Sequence, residues 1–165
     1  MTQRTMKAQL QALADVERPE NYEIATLTRQ DIPALAVLNI VAYEAPYTAQ
    51  ALFEATDELR LIFDGVFGIP RDDSFVGAWH EGTLIAAILV VVGPPWDEAD
   101  TNTPVVLDLM VDPEFRRRGI ATALIAEIAR RCMKWGKESL SLRLDAHHSA
   151  AASLYDLLGF EESTK

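Results

Sequence analysis

The stretch VVLDLMVDPEFRRRGIATALIAEIARRC, Val105 to Cys132, decides how this chain is read. Its first seven residues, VVLDLMV, are apolar except for Asp108. A short, Val-rich run of that kind reads as a strand buried on both faces. Asp112 and Pro113 turn the chain. Arg116, Arg117 and Arg118 then run into Gly119, and apolar residues follow at helical spacing. The pattern predicts a helix from about 118 to 135, stopped by Gly136, with Arg130, Arg131 and Lys134 set against the negative end of its dipole.

A strand, a turn and a glycine at a helix start can bind an anion. The first amides of a helix have no internal partners, and the peptide dipoles place about half a positive charge there. Gly119 lets a ligand approach the backbone, and Ala121 is the next small residue. Arginines at a helix amino end oppose the dipole, so the cluster suits a diphosphate better than it suits the helix. Spacing alone leaves a bound diphosphate and a solvated arginine cluster both open. The chain carries no GxxxxGK(S/T) and no GxGxxG opening a βαβ unit.

Upstream, residues 3–16 place Met6, Leu10 and Leu13 at helical spacing, which predicts an extra helical segment within 1–20, ended by Pro19. Residues 22–27 alternate as a strand. Asp31 is the expected cap of a helix holding Ile32, Leu35, Leu38 and Val41, and a second helix covers about 49–63. SFVGAW, HEGT and LIAAILVVV read as strand, turn and strand. Downstream, ESLSLRLD alternates as a strand, and Ser149 caps a last helix ended by Gly159. The order describes one α/β (α+β) domain over 1–165, with an antiparallel part first and crossover units later.

Composition narrows the function classes. With 15 basic and 25 acidic residues the chain has a net charge of −10, which disfavours binding through nucleic-acid phosphates and suits cationic small molecules or lysine-rich partners. No apolar run has the roughly 20 residues that span a bilayer, and the first twenty residues lack a signal-peptide core. One cysteine, Cys132, rules out an internal disulfide. Cytoplasmic residence without a membrane partner is the expectation. His80, His147 and His148 lack metal-ligand spacing, so no metal is expected.

Two segments together resemble the GNAT superfamily of N-acetyltransferases. LDLMVDPEFRRRGIATALI looks like that family's acetyl-CoA-binding segment, with Arg116, Gly119 and Ala121 on its Gln/Arg-x-x-Gly-x-Gly/Ala signature. HHSAAASLYDLLGF is similar to its N-x-x-A-x-x-L-Y-x-x-x-G-F segment through Ala151, Leu154, Tyr155, Gly159 and Phe160. His148 stands where the family has asparagine. The resemblance implies a mixed, mostly antiparallel sheet flanked by helices and splayed between the family's fourth and fifth strands. It further implies that acetyl-CoA is the co-substrate. Backbone at about Met110 and Val111 would pair with the pantetheine arm. The amides of Arg117, Arg118, Gly119, Ile120, Ala121 and Thr122 would hold the pyrophosphate, with Arg116 and His148 beside them.

The implied reaction is direct attack of a primary amine, on a small molecule or a protein, in a ternary complex. An amide at or beside Val111 would polarise the thioester carbonyl. Tyr155 would protonate the departing thiolate. Some family members carry a glutamate where this chain has Val105, which leaves Asp108 as the candidate base; a solvated or arginine-paired aspartate is the equal alternative. Tyr43, Glu44 and Tyr47 fall in the break between the first two helices, where the family builds its acceptor pocket. Many relatives dimerise, so a homodimer is one expected state. The family often adds a seventh strand after Gly159 and Phe160; with the chain stopping at Lys165, the expectation is that another protomer or the leading helix completes that edge, or that it is left short. The alternative function is a non-catalytic module of the same fold that binds coenzyme A as a sensor or interaction domain.

Overall fold

The longest strand of the sheet is β4 (Thr83–Val92), whose residues Leu84 to Val91 are all buried. A run of eight buried residues has both faces covered, so layers lie on each side of it. The computed structural model describes residues 4–14, 21–94, 103–144 and 161–162. Around β4 the chain arranges β1 (Arg4–Gln9), β2 (Glu23–Thr26), β3 (Phe75–His80), β5 (Pro104–Val111), β6 (Ser139–Leu144) and the two-residue β7 (Glu161–Glu162). The strand order is β2-β3-β4-β5-β6-β1-β7. Every pairing is antiparallel except β5 with β6.

One face is covered by α4 (Ile120–Lys134) and the short α1 (Leu10–Leu13). There Ile85, Ile88, Val90 and Val106 pack on Ile120, Leu124, Ile125 and Ile128. The other face carries α2 (Ile32–Ala42) and α3 (Ala49–Phe63), whose Leu35, Leu38, Leu59 and Ile62 meet Ala87, Leu89, Val91 and Met110. Each fully buried Leu or Ile contributes roughly 1.5–3 kcal/mol by leaving water. The β3–β4 turn is Glu81-Gly82, with φ of 49° and 82°. Two consecutive positive φ values define the two-residue turn that matches strand twist, so the glycine is needed there.

The leading segment departs from the expected helix. Residues Arg4 to Gln9 form β1, paired residue for residue with Leu144 to Ser139, and only Leu10–Leu13 turn helical. The free edge of β6 offers six residues a ladder, which outweighs a weak helical period. Ala8, Leu10 and Leu13 are buried by this arrangement. The leading residues therefore cover that edge as a strand, with β7 beyond them.

Asp31 stands at the N-cap of α2, as expected, and a further turn precedes it. Thr28 Oγ1 accepts from Gln30 N at 3.3 Å, and Thr28 N donates to Asp31 Oδ2 at 2.8 Å. This capping box starts a 3₁₀ turn, Arg29–Asp31, that runs into α2. No helix among the described residues is long and apolar enough to cross a membrane.

Candidate active site

The site begins where β5 loses its neighbour. Only Val105 and Val106 pair with β6, at Ser141 and Leu142, although β5 continues to Val111. From Leu107 onward, among the described residues, β5 is held only by β4. The sheet is therefore open along one edge of β5, as the resemblance implied for the family's fourth and fifth strands.

The ladder shows which backbone groups face that opening. Asp112 N donates to Ile85 O at 2.8 Å, which makes 112 and 85 a hydrogen-bonded pair. Antiparallel pairs alternate, so Met110 and Asp108 direct their backbone groups to β4, opposite Ala87 and Leu89. Leu109 and Val111 direct theirs to the open edge. The expectation for Val111 fits this register. Met110 does not fit it: its backbone is spent on β4, its side chain is buried, and its sulfur takes Asn39 Nδ2 at 3.6 Å. Leu109, which the sequence reading did not name, directs its backbone to the same edge as Val111.

A bulge then sets the side chains. Leu89 faces Asp108, but Val90 faces Val106, so Leu107 is an extra residue in β5. Strict alternation from Val106, on the α4 face, would send Asp108 into the α4 core. Leu107 lies on the α2–α3 face, as alternation requires, and the bulge after it brings Leu109 to the α4 face. Asp108 follows Leu107 to the α2–α3 side, where the Tyr43 hydroxyl donates to its Oδ1 at 2.5 Å. Tyr43 ends α2 and lies one turn after Asn39, so one stripe of the helix meets both Met110 and Asp108.

The opening runs up to the start of α4. After β5, Asp112 caps a 3₁₀ turn, Pro113–Phe115, by accepting from Glu114 N at 2.9 Å. Phe115 is seated between Tyr22 and His80, with ring centroids 6.3 and 5.3 Å away. Arg117 and Gly119 take positive φ of 63° and 76°. A Cβ on Gly119 would meet no atom within 4 Å, so the glycine is required by the backbone angle and leaves open space in front of it. The first α4 bond is Ala123 N to Gly119 O at 3.0 Å. Among the described residues no backbone carbonyl receives the amides of Arg117, Arg118, Gly119, Ile120, Ala121 or Thr122. The helix has no side-chain cap and no acid in its first turn.

The three arginines have different tasks. Arg116 Nη2 donates to Ala42 O at 2.5 Å, and its Nη1 lies 3.8 Å from Glu44 Oε2. It fastens the loop to the carboxyl end of α2, where unpaired carbonyls carry the negative end of the dipole. Arg118 lies over the Phe115 ring at 5.1 Å. Arg117 is exposed. The three therefore do not act as one mobile cationic cluster.

Of the expected acceptor residues, Tyr43 reaches the cleft. Glu44 is tied to Arg116 with a left-handed φ of 54°, and Tyr47 is exposed on the same loop. His148 and Tyr155 lie outside the described residues. Cys132 is fully buried in the α4 core, and burial, reinforced by the Asp73 charge, pushes its thiol up from 9.0 to about 12. A thiol held neutral is no nucleophile. No group of three His, Cys, Asp or Glu residues suited to a metal ion occurs among the described residues.

An open strand edge leading to an uncapped helix start is an arrangement with room for an extended, phosphate-bearing ligand. The chain belongs to the acetyltransferase (GNAT) family, whose model matches residues 34–160. It is 38% identical over 68 residues to the ribosomal protein bS18-alanine N-acetyltransferase of Escherichia coli (strain K12), a match covering 38% of this chain and 46% of that protein. It is 30% identical over 83 residues to the N-alpha-acetyltransferase MAK3 of Arabidopsis thaliana, covering 50% of this chain and 42% of the relative. The chain thus spans about half the length of the curated relatives it matches. The crystal structure of the Escherichia coli S18-alanine enzyme superposes with a TM-score of 0.64 at 23% identity, over 87% of this chain and 79% of that one. AAC(6')-Iy, solved with the bisubstrate analogue CoA-S-monomethyl-acetylneamine, superposes at 0.63 with 18% identity, over 87% and 93%.

Proposed function

We propose that this protein is an acetyl-CoA-dependent N-acetyltransferase that acetylates a primary amine, of a protein or a small molecule, by direct attack in a ternary complex. The observation that carries this reading is the continuity of the opened β5 edge with the unpaired amides of Arg117 to Thr122. The pyrophosphate would sit on those amides, where the dipole and Gly119 favour an anion. The pantetheine amides would pair with the outward backbone of Leu109 and Val111, as an added strand does. Laid in that register, the thioester would come beside the Leu109 N–H, which would polarise its carbonyl. Holding amine and thioester together supplies the positional part of the rate.

Tyr155 is assigned to protonating the leaving thiolate, a role that rests on its place in the second family segment. The named relatives act on ribosomal protein bS18 and at protein alpha-amino groups, and the bisubstrate analogue joins coenzyme A to an aminoglycoside. Both acceptor classes therefore belong in the assay. The reaction draws on an intracellular thioester and suits a cytoplasmic enzyme.

The test is thermal denaturation with acetyl-CoA, followed by coenzyme A release over peptides with free N-terminal alanine, polyamines and aminoglycosides. At 100 times its dissociation constant the co-substrate should stabilise the fold by about 2.7 kcal/mol, or roughly 5–10 °C in Tm. No shift at millimolar acetyl-CoA would reject the reading. Binding without turnover across the panel would favour a non-catalytic module.

A further inference from the structure

We infer that Tyr43 and Asp108 act as one proton-accepting unit: Asp108 takes the proton of the incoming ammonium, and Tyr43 is the positioning residue that holds its carboxylate on the acceptor side of β5. This deepens the acetyl-transfer reading and rests on it. Three independent features converge on the pair. The Leu107 bulge rotates Asp108 out of the α4 core and onto the face covered by α2 and α3. The peptide that follows Asp108 carries the Leu109 N–H, which faces the opening, so the carboxylate is rooted one peptide from the donor that would meet the thioester. Tyr43 leaves the last turn of α2 and donates to Asp108 Oδ1 at 2.5 Å.

The chemistry follows from the donor and acceptor counts. An ionised carboxylate is acceptor-only with about four lone-pair sites, so holding a phenol O–H and receiving a proton are compatible roles for it. A phenol O–H is donor enough to fix the carboxylate. The alternative position for a base, Val105, is apolar, buried and paired with Ser141. Glu44 and Arg116 face each other at the end of α2.

The step balances as follows. The ammonium N–H bond breaks and its proton passes to an Asp108 oxygen, leaving the electron pair on nitrogen. That pair forms the C–N bond with the acetyl carbon as the C–S bond breaks toward sulfur. A second N–H proton leaves the nitrogen and ends on the thiolate sulfur, so amide and thiol are the products. Asp108 returns its proton to water.

A double-mutant cycle tests the pair. Asp108→Asn should lower kcat/KM for the amine by roughly 10²–10⁴-fold. Tyr43→Phe should lower it about tenfold in the native background and less than twofold in the Asp108→Asn background, because the phenol acts through the carboxylate. All variants should keep the acetyl-CoA thermal shift, which reports an intact fold and site. An acceptor amine already neutral at the assay pH should narrow the gap between Asp108→Asn and the native enzyme, which a structural defect would not do. Equal losses from Tyr43→Phe in both backgrounds would overturn the positioning role, and native turnover in Asp108→Asn would overturn the base. Those outcomes would leave acetyl transfer standing, whereas a native protein without turnover removes both.

Discussion

The amino ends of α2 and α4 present the same problem and solve it in opposite ways. At α2 the chain satisfies its own donors: Thr28 and Asp31 close a capping box before the helix begins. At α4 a glycine with φ of 76° stands at the cap, no capped 3₁₀ turn leads directly into the helix, and the amides from Arg117 to Thr122 reach no backbone carbonyl among the described residues. Both helices bury an apolar stripe on the same sheet, so packing does not explain the contrast. The difference teaches that a helix start left open beside an open strand edge is a reserved position, and that a ligand is expected to complete it.

Placing a carboxylate in the α4 start breaks the contrast most severely. Ala121→Asp should weaken acetyl-CoA about a thousandfold, a loss of about 4 kcal/mol through like-charge repulsion. The same carboxylate should stabilise the unliganded helix by about 0.3–1 kcal/mol. Calorimetric titration and unliganded melting should therefore move in opposite directions. A variant that loses stability and affinity together would show that the amides are structural. Deeper in α4, Leu124→Ala removes a fully buried side chain and should cost about 3 kcal/mol in urea unfolding. A loss below about 1 kcal/mol would place the core elsewhere.

At the far end of the same helix, Cys132 ties stability to pH. Its folded thiol stays protonated up to about 12, while the unfolded thiol ionises near 9. The unfolded state then holds fewer protons, so stability falls as pH rises above 9 and the loss levels off above 12. Native protein should lose about 1 kcal/mol more than Cys132→Ala between pH 8 and pH 10, and equal slopes would contradict the buried thiol. The smallest change returns to α2: Thr28→Ala should cost at most about 1 kcal/mol and leave the acetyl-CoA shift intact.

Much of this was legible in the residues. The apolar run of β5, the Glu81-Gly82 turn and the periodicity of α4 are local signals, and each element lies where its pattern put it. The loop before α4 was legible as a candidate anion site because glycine and arginine stand where a helix would prefer neither. What could not be read is set by neighbours distant in sequence. The β6 edge converts the leading residues to strand, and nothing in RTMKAQ announces that partner. The bulge at Leu107 depends on how β4 pairs, so neither the choice of Leu109 over Met110 nor the side taken by Asp108 follows from alternation. Arg116 meets the carbonyl of Ala42, 74 residues earlier, and only the fold brings them together. Thr28 was within reach, because a Thr three residues before Asp31 is the capping-box pattern.

Amide hydrogen exchange with and without acetyl-CoA tests the central claim most directly. Protection should appear at Leu109, Val111 and the amides from Arg117 to Thr122, while Met110, already paired to β4, and Gln30, already bonded within its capping box, stay unchanged. Exchange at the α4 start that is indifferent to acetyl-CoA, with protection arising elsewhere, would contradict the account.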